Sequence, residues 1–288
     1  MKMTAKFHLP GLRYNYPLNM MLLSLKEKYP HYFQDNIEIA SFFGEFPTSL
    51  WNGGRFSNGD QCDRRFVEEV VKSINTRGIP VRYTYTNPLL TEEDLADAYC
   101  NFCMKTADNG KNEVLVVSPI LEAYIRKNYP GFTINSSTCK EIRGIEGVNE
   151  ELKKDYGLVV LDYNLNNQFG ELQKITDKSR CELLVNACCI PECPRRGEHY
   201  RTIAKQQRIT LKNRRHPADK QIPVPGWHCE YGNCNTIYDI QEYKTFISAE
   251  DIWEKYLPMG FCNFKIEGRS LGSALILEFL VYYMTKPE

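Results

Sequence analysis

The sequence has no excess of charge of either sign: its 288 residues carry 36 Lys and Arg against 36 Asp and Glu. That balance excludes a global electrostatic pull toward nucleic acid or a membrane surface. Long apolar runs are also missing. The richest stretch, Ala274 to Met284, is shorter than the roughly 18 residues of a bilayer span and contains Glu278. The first residues, Met1-Lys-Met-Thr-Ala-Lys-Phe-His, hold no apolar segment of the secretory type, so a cytoplasmic location and no membrane partner are expected. No Gly-x-Gly-x-x-Gly occurs, which argues against a dinucleotide-binding sheet. His-Glu-x-x-His is absent too, and with it the helix motif of zinc peptidases.

Eleven cysteines are present instead. In a chain expected to meet a reducing compartment, so many thiols point to metal binding or redox chemistry rather than to disulfides.

Short β-like runs alternate with helix-like segments from Ile37 onward. Strands are expected at 37–42, 80–86, 113–118, 132–136, 158–163, 181–186 and 263–267. Helices are expected at 64–77, from Thr91, and at 121–128, 148–156, 169–176 and 271–284, with one from Ser248 or Glu250 to Tyr256. Regular βα alternation with right-handed crossovers leaves a (β/α) barrel or an open doubly wound sheet. The length and the missing glycine fingerprint favour a single α/β domain over 1–288, a TIM-like barrel. Seven strands are countable, so the barrel is expected to be closed by a hidden eighth or left incomplete or distorted.

The rhythm breaks after the sixth of these strands. Residues 187–247 form a Cys-rich insert with almost no apolar periodicity, and its Arg195 to Lys220 stretch sets nine basic residues against two acidic ones. Such a run either tracks a phosphate backbone or, more commonly, is a solvated loop. Cys189-x₃-Cys193 follows the strand directly, and Cys229-x₄-Cys234 comes later in the insert. Two pairs divided by a loop suit a zinc or iron–sulfur site with Cys189, Cys193, Cys229 and Cys234 as ligands, or else are isolated thiols. Cys188 adjoins Cys189, and only one of them is expected to face the site. Cys100 and Cys103, three apart in a helix, read as packed side chains, and Cys62, Cys181 and Cys262 as core thiols.

Strand ends converge at the C-terminal face of a barrel. That placement gathers Ser41, Asn87, Ser118, Ser136 or Ser137, Asp162 or Asn164, Asn186 and Glu267 as pocket candidates. Asp162 and Glu267 are the acid–base candidates. Arg269 is either an anion clamp or the ionic partner of Glu267. Trp51-Asn52-Gly-Gly-Arg55, in a loop after the first countable strand, offers a stacking face and a cation for substrate, or Trp51 simply plugs the barrel mouth. Asn186 joins Trp51, Asn52 and Arg55 as a substrate-binding candidate.

Four segments carry a resemblance to a known family: Leu184-Val-Asn-Ala-Cys-Cys-Ile-Pro-Glu-Cys-Pro-Arg-Arg-Gly-Glu-His-Tyr200, Phe264-Lys-Ile-Glu-Gly-Arg269, Asn135-Ser-Ser-Thr138, and Val159 to Asn166 leading to Glu171-Leu. Together they resemble the collagenase-like peptidase family U-32 over roughly residues 110 to 285. The resemblance implies a barrel. It also implies an iron–sulfur enzyme with a cysteine-held 4Fe–4S cluster, because branches of the family perform oxygen-independent hydroxylation of RNA bases or quinone precursors. A small-molecule or RNA substrate and a redox partner would follow. The alternatives are a structural zinc presenting a basic RNA- or protein-binding surface, and a peptidase of collagenase type. The chain departs from those branches in the x₃ spacing of its first cysteine pair. It departs again at Ser248-Ala-Glu-Asp251, where no cysteine precedes the last strand.

Overall fold

The computed structural model describes residues 3–54, 59–231, 236–269 and 271–287. Eight parallel strands pair in chain order and close on themselves: β1 (Ala5–Pro10), β2 (Ile37–Gly44), β3 (Val81–Tyr85), β4 (Glu113–Val116), β5 (Thr133–Ser136), β6 (Val159–Val160), β7 (Cys181–Leu184) and β8 (Asn263–Lys265). Closure is made where β1 pairs with β8, His8 opposite Lys265. The barrel is therefore complete, and the strand missing from the sequence reading is the first. The cysteine insert accordingly follows the seventh strand, not the sixth.

Between strands run α1 (Tyr16–Lys28), α2 (Arg64–Thr76), α3 (Ala98–Ala107), α4 (Pro119–Asn128), α5 (Ile145–Leu152) and α6 (Phe169–Leu172). The insert contains α7 (Arg196–Asn213) and α8 (Ile237–Gln241). Before β8 comes α9 (Ala249–Asp251), then a π-helical turn, Ile252–Tyr256, and α10 (Leu257–Met259). The last helix is α11 (Ser273–Met284). Local chemistry explains the starts. Asp63 caps α2 by accepting from the Arg65 amide, and Asp97 caps α3 from Cys100. Thr91 and Asp94 do form a capping box, but it opens a short 3₁₀ segment, Glu92–Ala96, ahead of α3. Val67, Val70, Val71 and Ile74 give α2 the apolar stripe that faces the sheet. Cys100 and Cys103 lie fully buried with Tyr99 and Met104 on the inner face of α3.

The layer between barrel and helices is aromatic and aliphatic: Phe7, Phe264, Tyr256 and Tyr283 on one side, stacked Tyr83 and Tyr85 with Phe46 and Phe132 on another. The expected solvated loop is corrected by α7, an 18-residue helix. It docks through polar contacts, which is why no apolar stripe betrays it. Gln207, fully buried, donates to the Ser49 carbonyl (2.9 Å) and to Asn52 Oδ1 (2.8 Å). Arg208 pairs with Asp94 (2.6 Å), and Ala204 is fully buried.

Candidate functional site at the barrel mouth

Barrel interiors are ordinarily filled by branched aliphatic side chains. Here ionisable groups cross the axis. Arg82 on β3 bonds Glu182 on β7 and, at 2.6 Å, Glu113 on β4. Glu182 also meets His8 Nε2 at 3.3 Å and Lys265 Nζ at 3.4 Å. Asn135 donates to Glu113 at 2.8 Å. Burial alone would raise the Glu182 carboxyl, but the charges of Arg82 and Lys265, with the Arg82 hydrogen bond, hold it well below the usual carboxylate range. Burial brings the Lys265 ammonium down to about 8 against the pull of Glu182.

His8 is driven down to about 4, by burial first and by the Arg82 charge second. The ring is thus neutral near pH 7. Glu182 can only accept, so Nε2 carries the proton and Nδ1 accepts from the Ser41 hydroxyl at 2.8 Å. Acid should weaken the fold in a defined window. An unfolded His8 takes up a proton near 6.5, whereas the folded one refuses it down to about 4. Stability is therefore lost as pH falls from 6.5 toward 4, by on the order of 3 kcal/mol. Urea unfolding of wild type and His8→Gln at pH 7 and pH 4.5 measures this, and an acid slope unchanged in the variant would contradict it.

Above this layer, Arg269 pairs with Glu45 at 2.7 Å, and Thr84 bonds both. The alternative ionic partner expected from sequence, Glu267, is not the one used. Gly268 (φ +150°) turns the chain between the two residues, and an added Cβ there would meet Ile276 Cδ1 at 1.9 Å. Asp162 is buried and grips Arg196 through both oxygens, one at 3.1 Å, while also accepting from the Asn164 amide. It anchors the start of α7, which leaves Glu267 as the acid–base candidate. Glu267 is clipped to the cysteine segment. Its amide donates to Asn186 Oδ1 (2.6 Å), Asn186 Nδ2 donates back to its carbonyl (3.1 Å), and the Cys188 amide donates to its Oε2 (2.9 Å).

None of the ten described cysteines is in a disulfide. Of the adjoining pair, Cys188 Sγ donates to the Asn186 carbonyl, while Cys189 contacts Cys193 and the Tyr163 hydroxyl. Burial pushes the Cys189 thiol up to about 11. Cys229 lies between His228 and Glu230, both of which touch Arg195, two residues past Cys193. Cys234 falls outside the described residues. Among the described residues no three His, Cys, Asp or Glu side chains are arranged to hold a metal ion. Of the four expected ligands, the described residues bring Cys189 and Cys193 together.

Trp51 does not offer a stacking face. It is fully buried, edge-on to Tyr85 and Tyr124, with its indole N–H donating to the Asp94 carbonyl. Asn52 is likewise committed, to Gln207 and to the Gly54 amide. Burial between α7, which holds Asn52, and Tyr85 and Tyr124, which flank Trp51, overrides the loop-like composition of this segment. Arg55 lies outside the described residues. Ser41 reaches the interior through His8, whereas Asn87 braces a turn, Ser118 caps α4 and Ser136 bonds Glu151. Lys265, Glu182, Arg82, His8 and Glu45 were missed. Period-two spacing with Glu267 was the available signal for Lys265. Gly268-Arg269-Ser270-Leu271-Gly272 also spells Gly-x-Ser-x-Gly, though Ser270 lies outside the described residues.

No family model matches the chain, and no curated protein matches it. Solved structures similar to the chain include two of named enzymes. The structure of the U32 peptidase Mk0906 is 13% identical, with a TM-score of 0.49, and the match covers 93% of this chain and 94% of that one. The spore cortex-lytic enzyme SleL of Bacillus cereus is 10% identical, with a TM-score of 0.41, over 98% of this chain and 75% of that one. The first bears the name of the family that the sequence segments resemble. At these identities and scores, neither likeness carries an argument about activity. Among the described residues no helix is long and apolar enough to cross a membrane.

Proposed function

We propose that the protein is a barrel enzyme acting at the mouth formed by β7 and β8 on a small organic molecule or a nucleobase. The reaction would be oxygen-independent hydroxylation or related redox chemistry. The observation that supports this reading is the clip joining Asn186, Glu267 and the Cys188 amide. It fastens a half-buried carboxylate to the first residue of the cysteine block, close enough for the Glu267 charge to raise the Cys189 thiol. A substrate reached by one is then reached by the other.

The side chains have separable parts. Glu267, with one oxygen fixed, gives or takes a proton. Arg269, held by Glu45, supplies a fixed positive charge at the rim. Asn186 orients Glu267. An iron–sulfur cluster on Cys189, Cys193, Cys229 and Cys234 would supply electrons, passed on from a redox partner. An RNA substrate would lay its phosphates along the basic face of α7.

Metal retention in two variants tests the ligand set. Cys193→Ser is expected to lose bound iron, while Cys100→Ser, whose thiol is buried on the inner face of α3, keeps it. Iron retained equally by both, read by plasma mass spectrometry, would contradict the assignment.

A further inference from the structure

Among the described residues, three polar atoms inside the barrel make no hydrogen bond, Lys265 Nζ, Glu182 Oε1 and Arg82 Nη2, the first two facing each other as an ion pair. They belong to one place. Nζ lies 3.4 Å from Glu182 Oε1, and Arg82 bonds the other oxygen of the same carboxylate through Nη1. Buried donors and acceptors are nearly always paired. An amine held to its carboxylate by a long ion pair, beside an unpaired guanidinium N–H, suits a small ligand that carries an acceptor atom. Lys265 is 7% exposed, and this desolvation favours an uncharged amine even though the Phe43 ring face, 3.8 Å from Nζ, attracts the cation.

We propose that Lys265 is a carbonyl-binding residue whose neutral amine forms an imine with a small aldehyde or 2-oxo acid entering from the mouth. The Nζ lone pair attacks the carbonyl carbon, and a C–N bond forms as the C=O π bond opens. The two amine protons leave with the carbonyl oxygen as water, and N=C replaces O=C. No oxidant or reductant is consumed. Glu182 Oε1, beside Nζ, is the acceptor that relays those protons. Along β8 the lysine lies about 7 Å below Glu267, so a ligand of two or three carbons spans from the amine toward the rim. This activity goes beyond the redox reading and does not depend on any metal.

At pH 7 a lysine held at about 8 has on the order of 100-fold more neutral amine than an ordinary one. The full chain, treated at pH 7 with glycolaldehyde or separately with pyruvate in the presence of cyanoborohydride, is mapped by peptide mass spectrometry. The reduced adduct is expected on Lys265 at least ten-fold above the exposed Lys153 and Lys174. The preference should vanish in urea, and the adduct should vanish in Lys265→Arg. Labelling of Lys153 and Lys174 with Lys265 bare, or a preference that survives urea, overturns the proposal. The wild-type map decides even where the variant folds poorly. A metal-free chain that still labels Lys265 separates this result from failure of the redox reading.

Discussion

Arg82→Met is expected to cost the fold about 3–5 kcal/mol, a large part of a typical domain's stability. Arg82 is fully buried and is the partner of both Glu113 and Glu182. Removing it strands two carboxylates in a desolvated interior. His8 is neutral there, and Lys265, held at about 8, is a weaker counter-charge. Adding Glu182→Gln to the variant removes one of the stranded charges and should restore part of the loss, the non-additivity expected of a buried network. Denaturant unfolding followed by circular dichroism reads both effects. A single-variant cost under about 1 kcal/mol would mean that the interior charges are solvated and do not form the barrel's core.

Gly54→Ala should loosen α7 from the barrel. Gly54 adopts φ +87°, and a Cβ there would stand 2.0 Å from the Ile203 carbonyl oxygen, which is backbone and cannot rotate away. Overpacking of this kind costs roughly 1–3 kcal/mol, and the left-handed backbone adds about 1 kcal/mol more. The relief available is movement of α7, with loss of the buried bonds from Gln207 to Ser49 and Asn52. Trypsin should then cut between Arg195 and Arg215 at least ten-fold faster than in wild type. An unchanged cleavage pattern would show that α7 docks by other contacts.

How much of this was legible in the sequence follows from where polarity sits. Seven strands announced themselves because their outward faces carry Val, Ile, Leu and Tyr against the helices. β1 did not, because its alternation of Ala5, Phe7 and Leu9 with Lys6, His8 and Pro10 is short and ends on a proline, and His8 is polar for the reason that the barrel interior is polar. The same inversion hid Arg82, Glu182 and Lys265, charged residues inside expected strands that are buried. α7 escaped because Arg196, Gln207 and Arg208 dock it in place of an apolar stripe. Glu267 and Asn186 were legible as strand-end residues, since that placement needs only the strand boundaries. Trp51 misled because loop composition says nothing about Tyr85 and Tyr124 closing on the ring from β3 and α4.

If, as proposed, the mouth carries redox chemistry beside Glu267, the full chain purified without oxygen should show it in its iron, acid-labile sulfide and zinc per chain and in its visible spectrum. Iron and sulfide in equal numbers, with broad absorption near about 400 nm from thiolate-to-iron charge transfer, is the predicted result. One zinc without sulfide, or neither metal with every thiol titratable, would contradict it.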